Sequence, residues 1–399
     1  MNAPAPLVNT YPQYPFEITH GKGVYVTGSD GNQYLDLYGG HAVCALGHNH
    51  PRIQHAITEQ AEQLFFYSNL TSLAIRNKAA EALLSFANNG MSAVFFCNSG
   101  AEANENALKL SVQLTGRSRL VAFKGGWHGR TTMAAAVTDD PKWHAKTPGW
   151  LGDVLHLEPN DISELEKIDS SCAAVILEPI QSIGGMRKIN NDFLVALRAR
   201  TKETGTLLIF DEVQTGVGRT GVPYINGHGH PDGTTSSDTP RVEADMSTTA
   251  KSLANGFPVG AVLFTPEIAQ ELQLGDLGST FGGGPLASAA VLETLNVISS
   301  EQLMERVQHF EAAIRDELSS CALVREVLGH GCLLGLSLTV PAQQVVAALR
   351  EEKILAGTSG VSSVMRLLPS YQVDATHAQR LAKALQTIEA SGKIGGATT

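Results

Sequence analysis

Five short apolar runs punctuate the middle of the chain and constrain its fold more than any other feature. They are "AVFFC" (93–97), "RLVAF" (119–123), "AAVILE" (173–178), "TLLIF" (206–210) and "VGAVLF" (259–264). Each is apolar on consecutive rather than alternating positions and carries β-branched or aromatic residues, the pattern of strands covered on both faces. Helical patterns over 101–114 and 192–203 lie between them. This alternation predicts an α/β fold on a largely parallel sheet.

After about residue 290 the texture changes. Leu303, Val307, Phe310, Ile314 and Leu318 recur at spacings of three and four, which predicts a long amphipathic helix. Pro341 opens a second helix and Asp374 precedes a third, with the short runs "LLGLSLTV" and "VMRLLP" between them. A separate, smaller α+β unit is expected there. Near the N-terminus, "GVYVTGSDGNQYLDLYGG" reads as a hairpin turning at Gly28–Gly31. The stretch 227–245 is polar, rich in Gly and Pro, and expected to be an exposed loop.

Composition narrows the function. Of 399 residues, 43% are hydrophobic and 17% charged, as in a well-packed soluble protein, and the net charge of −10 argues against nucleic acid as a partner. No run of eighteen apolar residues suggests a membrane span, and the start "MNAPAPLVNTYPQYP" lacks the pattern of a secretory signal. Five scattered cysteines, never spaced C-x-x-C, favour a reducing cytoplasm. The histidines of "HNHP" (48–51) and "HGHP" (228–231) lack helical i, i+4 spacing and nearby cysteines, so no metal site is expected.

Three segments carry chemistry. In "FFCNSGAEANENALKL" (95–110) a buried strand runs into a helix that Asn98 or Ser99 can cap, and Gly100 lets a ligand approach the backbone. The open N–H groups of such a helix start suit a phosphate. In "LLIFDEVQTGVGRTG" (207–221), Asp211 and Glu212 stand at the carboxyl end of a strand, where open α/β sheets build their sites. A buried Asp211 requires a cationic or N–H partner. Gly216, Gly218 and Gly221 form a G-x-G-x-x-G, but Asp211–Thr215 separate it from the strand and no helix pattern follows, which discounts a dinucleotide. The third segment is "MSTTAKSLANG" (246–256), where Lys251 sits among small residues with no acid within five positions. The expectation is an uncrowded amine that no close acid pins as an ammonium. A desolvated lysine is a nucleophilic amine able to form a Schiff base. Schiff-base lysine, acid for a pyridine nitrogen and phosphate cradle together are what pyridoxal 5'-phosphate requires.

With these motifs in hand, the chain resembles the class III (ω-amino-acid type) aminotransferases of fold type I, and specifically the acetylornithine and ornithine aminotransferases. The resemblance runs through "GGHAVCALGHNHP", "NSGAEANENALKL", "WHGRT", "LEPIQ", "FDEVQTGVGRTG", "TTAKSLANGFPVGA", "GSTFGGGPLA" and "VMRLLPS". It implies a large cofactor-binding domain over 51–289 with a mostly parallel seven-stranded sheet between helices. Residues 290–399 would form a smaller α+β domain, to which 1–50 contribute. By the same resemblance Lys251 would hold the cofactor and shuttle a proton, and Asp211 would pair with the pyridine nitrogen. Ser99, Gly100 and Ala101 would bind the phosphate. Thr280 would bind the phosphate of the neighbouring subunit, which implies a homodimer with its site at the interface. Trp127 would stack on the ring, Val213 on its other face, and Gln214 would sit near the ring hydroxyl.

Two arginines bear on substrate. In the resemblance Arg130 takes the carboxylate of the amino donor and Arg366 that of 2-oxoglutarate, a role suited to guanidinium. The pattern departs at "EPIQSIGG" (178–185): Ser182 and Ile183 stand where the family carries Gly-Glu, whose glutamate pairs with the second arginine. Arg366 is therefore expected to be either open to a carboxylate or paired with some other acid. The activity implied is transfer of a terminal amino group from an acetylornithine- or ornithine-like donor to 2-oxoglutarate. An ω-amine, 4-aminobutyrate or β-amino-acid transaminase, or a decarboxylase or aminomutase on the same cofactor, stands as the alternative.

Overall fold

The computed structural model describes residues 7–8, 10–140, 152–228, 241–392 and 394, so most of the loop expected over 227–245 lies outside the described residues. The N-terminal hairpin is present. Strands β1 (Ile18–Lys22), β2 (Tyr25–Gly28) and β3 (Gln33–Asp36) form an antiparallel meander, and β2 pairs β3 across the Gly28–Gly31 turn region.

The apolar runs become the main sheet. It contains β4 (Ala93–Cys97), β5 (Arg119–Phe123), β6 (Val154–Leu157) and β7 (Cys172–Leu177). A two-stranded ribbon, β8 (Ile180–Gln181) and β9 (Arg187–Lys188), branches off before β10 (Leu207–Asp211), β11 (Met246–Thr249) and β12 (Gly260–Phe264) rejoin the sheet. The seven strands run in the order β4-β12-β11-β10-β7-β5-β6, with β12 alone antiparallel to its neighbours. Every residue of β7 and β12 is buried, which explains their unbroken apolar character. The helices Gly100–Thr115 and Asn191–Thr204 match the predicted helical stretches to within a residue at each end.

Beyond the sheet, one helix spans Pro285–Ser300 without a break. The next, Leu303–Glu317, buries Leu303, Val307, Phe310 and Ile314 as its periodicity requires, and Leu318 forms its C-cap. Helices Ala342–Glu351 and Ala375–Ala390 follow Pro341 and Asp374, whose carboxylate accepts the Thr376 and His377 N–H groups. Strands β13 (Val324–His330), β14 (Leu333–Leu338), β16 (Gly357–Thr358) and β17 (Val364–Leu367) make a second sheet. Strand β15 (Ile354–Leu355) instead pairs in parallel with β3, so the two ends of the chain share a sheet. Among the described residues no helix is long and apolar enough to cross a membrane.

Arg219 ties these parts together from the interior. Fully buried, it donates to Cys332 O, Pro369 O, Ala42 O and Ser252 Oγ, and its guanidinium lies over the Tyr371 ring. Ala42 ends a left-handed turn in which Gly39, Gly40, His41 and Ala42 all have φ between +55° and +67°. For His41 and Ala42 that conformation costs roughly 1 kcal/mol each, and the Ala42 carbonyl is held in place by Arg219 and Ser252. Replacing Arg219 with Met would leave buried carbonyls without donors, and a loss of about 3 kcal/mol is expected. Thermal unfolding followed by circular dichroism should show a fall of several degrees; an unchanged midpoint would contradict the tie.

Candidate active site

The carboxyl edge of the main sheet gathers the chemistry. Strand β10 ends at Asp211, which is 3% exposed and accepts three hydrogen bonds: from Asn104 Nδ2 at 2.7 Å, His128 Nδ1 at 2.8 Å and the Val213 N–H at 3.1 Å. Thr248 Oγ1, on neighbouring β11, donates to Asn104 Oδ1 and fixes the amide's direction. The partner that burial of Asp211 demands is thus a set of three, from the first helix after β4, the loop after β5 and the strand's own exit. The adjacent Glu212 has a different task. It accepts the Ile225 and Asn226 N–H groups and the Thr215 hydroxyl, and burial pushes its carboxyl up to about 7.

The helix start after β4 is capped by Ser99, whose Oγ accepts the Glu102 N–H, while Glu102 accepts the Asn98 N–H in return. The first N–H groups of a helix have no partner within it, and Gly100 and Ala101, at this helix start, line the cavity. Gly100 is a close-approach glycine: a Cβ there would lie 2.7 Å from Val213 Cγ1.

Lys251 follows β11 with φ +46°, a left-handed conformation that a lysine rarely adopts and that marks strain at a site. It lines a cavity of about 410 Å³ with Ser99, Gly100, Trp127, Asp211, Val213 and Gln214. Ala101 and Arg130 line the same space. Burial lowers the Lys251 amine below the ordinary lysine range, against the raising effect of Asp211 and Glu178. Here the expectation of an amine without close acids is corrected. No acid is near in sequence, but the fold brings two into electrostatic reach. The Arg130 guanidinium lies over two aromatic rings, 5.2 Å from the Tyr11 centroid and 5.4 Å from that of Trp127. The buried Oε1 of Gln214 has no hydrogen-bond partner among the described residues.

Arg366 sits on β17, 5% exposed, and donates to Thr358 O, Ser182 Oγ and Tyr38 Oη at 2.7, 3.1 and 2.7 Å. All three acceptors are neutral, and among the described residues no carboxylate pairs with it. Ser182 reaches the guanidinium; Ile183 does not, because it packs at Gly360 beside a separate cavity. Glu178, buried, accepts the Trp127 N–H at 2.8 Å and the Ser182 N–H at 3.4 Å. Thr280 is exposed and stands outside the cavity lining.

Of the residues singled out from sequence, Ser99, Gly100, Ala101, Trp127, Arg130, Asp211, Val213, Gln214 and Lys251 converge on one cavity. Asn104, His128, Glu178, Tyr11 and Tyr38 were missed. His128 and Glu178 lay inside motifs already recognised, and Asn104 lies one helical turn after Gly100, on the face that meets the strand ends.

The residues fit pyridoxal phosphate. Gly100 lines the cavity where a Cβ would collide with Val213, an amine with lowered pKa lines the same space, and an unpartnered amide oxygen and an anchored carboxylate flank it. Fold and site together define a fold type I pyridoxal-phosphate enzyme. The sequence model of the family Aminotransferase class-III matches residues 8–388. The chain is 37% identical over 371 residues to the [LysW]-aminoadipate semialdehyde/glutamate semialdehyde transaminase of Sulfolobus acidocaldarius, covering 92% of this chain and 93% of that protein. It is 38% identical over 368 residues to an acetylornithine aminotransferase of Mycolicibacterium smegmatis, covering 92% and 91%. The solved ornithine aminotransferase of Toxoplasma gondii, with pyridoxal phosphate at partial occupancy, superposes with a TM-score of 0.86 at 27% identity, over 97% of this chain and 93% of that one. The chain belongs to the class III aminotransferases, and it is an aminotransferase with pyridoxal phosphate as cofactor.

Replacing Gly100 with Ala forces Val213 to move and narrows the cradle. Cofactor affinity should fall about tenfold, the scale of an overpacking penalty of 1–2 kcal/mol, read by titrating the apoprotein with cofactor and following visible absorbance. Unaltered affinity would show that the backbone at Gly100 is not approached.

Proposed function

We propose that the protein transfers the terminal amino group of an acetylornithine- or ornithine-like donor to 2-oxoglutarate, giving a semialdehyde and glutamate. One observation carries the acceptor half: a buried guanidinium, Arg366, whose partners are three neutral oxygens. A buried cation without a counter-anion is costly, and a substrate carboxylate in bidentate contact would supply the missing charge. Arg130, framed by Tyr11 and Trp127, is the second guanidinium of the site and takes the donor's carboxylate. Two carboxylate-binding arginines favour a donor and an acceptor that both bear carboxylates over a decarboxylase or aminomutase. The names of the similar acetylornithine and ornithine enzymes support the donor class.

When bound, pyridoxal phosphate supplies the electron sink on which an amino group moves between carbons. The chain's own residues do the rest. Lys251 would hold the cofactor through its amine and, once released, would carry the proton between the reacting atoms, a task that its lowered pKa favours. Asp211, oriented by Asn104 and His128, would pair with the ring nitrogen. Ser99, Gly100 and Ala101 would hold the phosphate, and Trp127, Val213 and Gln214, which line the same cavity, would hold the ring.

Residues 51–289 act as the cofactor domain and 290–399 with 1–50 as the small domain, a division supported by the β3–β15 pairing. The protein works as a homodimer with Thr280 serving the partner's phosphate. Support comes from exposed aromatic rings beside Thr280: Phe281, 64% exposed, lies 5.2 Å from the ring of Phe66, 40% exposed. Four buried free cysteines support a reducing compartment, the cytoplasm.

The test is a donor panel against 2-oxoglutarate and pyruvate, run with wild type and Arg366→Gln. Acetylornithine or ornithine with 2-oxoglutarate should give the highest kcat/KM. Arg366→Gln should raise the KM for 2-oxoglutarate about a hundredfold, the cost of removing a bidentate charge pair, and change the donor KM far less. A preference for pyruvate, or an unaffected oxo-acid KM in the variant, would overturn the assignment.

A further inference from the structure

Glu178 is the buried acid of this site to which the catalytic scheme gives no task. It is 4% exposed and lies on the segment that leaves β7. Its two oxygens face two parts of the machinery at once. One accepts the N–H of Trp127, the residue over the cofactor cavity; the other accepts the N–H of Ser182, whose hydroxyl in turn accepts from Arg366. Glu178 is therefore linked through one residue to the guanidinium that has no carboxylate partner among the described residues. Its charge is felt there and at Lys251, in both cases favouring the cation.

We propose that Glu178 is a positioning residue that sets acceptor affinity: the internal counter-charge of Arg366, acting beside Ser182, against which an incoming carboxylate must compete. The proposal rests on the assignment of Arg366 to the oxo acid. A negative charge fixed near Arg366 weakens the hold on a second anion, and a neutral group in its place strengthens it. Whether Glu178 is charged depends on everything packed around it. Asp211 on β10 opposes ionisation; His128 after β5, Lys251 after β11, Arg366 on β17 and the Trp127 N–H favour it. Burial and Asp211 together push its carboxyl up to about 7. Below that pH Glu178 is neutral and a dicarboxylate binds tightly; above it Glu178 is charged and binding weakens. In this chain, where an apolar Ile183 packs at Gly360, the task of balancing the guanidinium falls to the acid five residues earlier in the sequence.

The experiment measures the affinity of glutarate, an unreactive dicarboxylate, for the holoenzyme by isothermal titration calorimetry at pH 5.5 and 8.5. Wild type should bind about tenfold more weakly at pH 8.5, the effect of one nearby charge. Glu178→Gln should bind tightly at both, within about twofold. Glu178→Asp keeps a titrating charge and should keep the pH dependence. A wild type equally tight at both pH values, a pH dependence that persists in Glu178→Gln, or its loss in Glu178→Asp would each overturn the proposal. A holoenzyme that binds no glutarate at either pH would instead refute the role of Arg366, which separates the two failures.

Discussion

The burial of one carboxylate at the end of the central strand organises the rest of the molecule. Asp211 finds its donors on segments that leave other strands of the sheet and on its own strand exit. Asn104 comes from the helix after β4, His128 from the loop after β5, and Val213 from its own strand exit. Two of the three partners are set by different connections of the sheet, so the carboxylate is satisfied only when the sheet is assembled in its observed order. The same assembly delivers Lys251 from the end of β11 and Ser99–Ala101 from the end of β4. Fold and site are one problem with one solution.

Charge balance within that solution is unusual. Lys251, Arg130 and Arg366 gather around the space in front of the cofactor cavity, and burial lowers the pKa of Lys251 and of Arg366. Against them stand Asp211, which its three donors hold, and Glu178, which burial lifts. The surplus of positive charge suits substrates that arrive with carboxylates. Arg366 itself is tied by hydroxyl and carbonyl oxygens, neutral acceptors that orient a guanidinium without neutralising it by direct contact.

Much of this was legible in the sequence, for reasons that can be named. Strands buried on both faces must be continuously apolar, so β4, β5, β7, β10 and β12 declare themselves. Asp211 stands out because an acid after four apolar residues marks a strand's carboxyl end, and Lys251 because small residues surround it. Tertiary partners were not legible. Nothing local distinguishes Asn104 from Asn106 on the same helix, yet one reaches Asp211 and the other bonds the Glu102 carbonyl. The departure at Ser182–Ile183 was visible, but not which of the two would face Arg366. That is decided by the short ribbon β8–β9 and by the contact of Ile183 with Gly360, both products of the folded chain. Tyr38 was invisible for a similar reason, since it meets Arg366 across 328 positions.

The central claim is that the amine of Lys251 is the group that carries the cofactor. Reduction of the holoenzyme with borohydride, followed by proteolysis and mass spectrometry, tests it without reference to any substrate. The pyridoxyl-phosphate mass should appear on the peptide containing "MSTTAKSLANG", at Lys251 and at no other lysine. A label on a different lysine, or none on that peptide, would contradict the account.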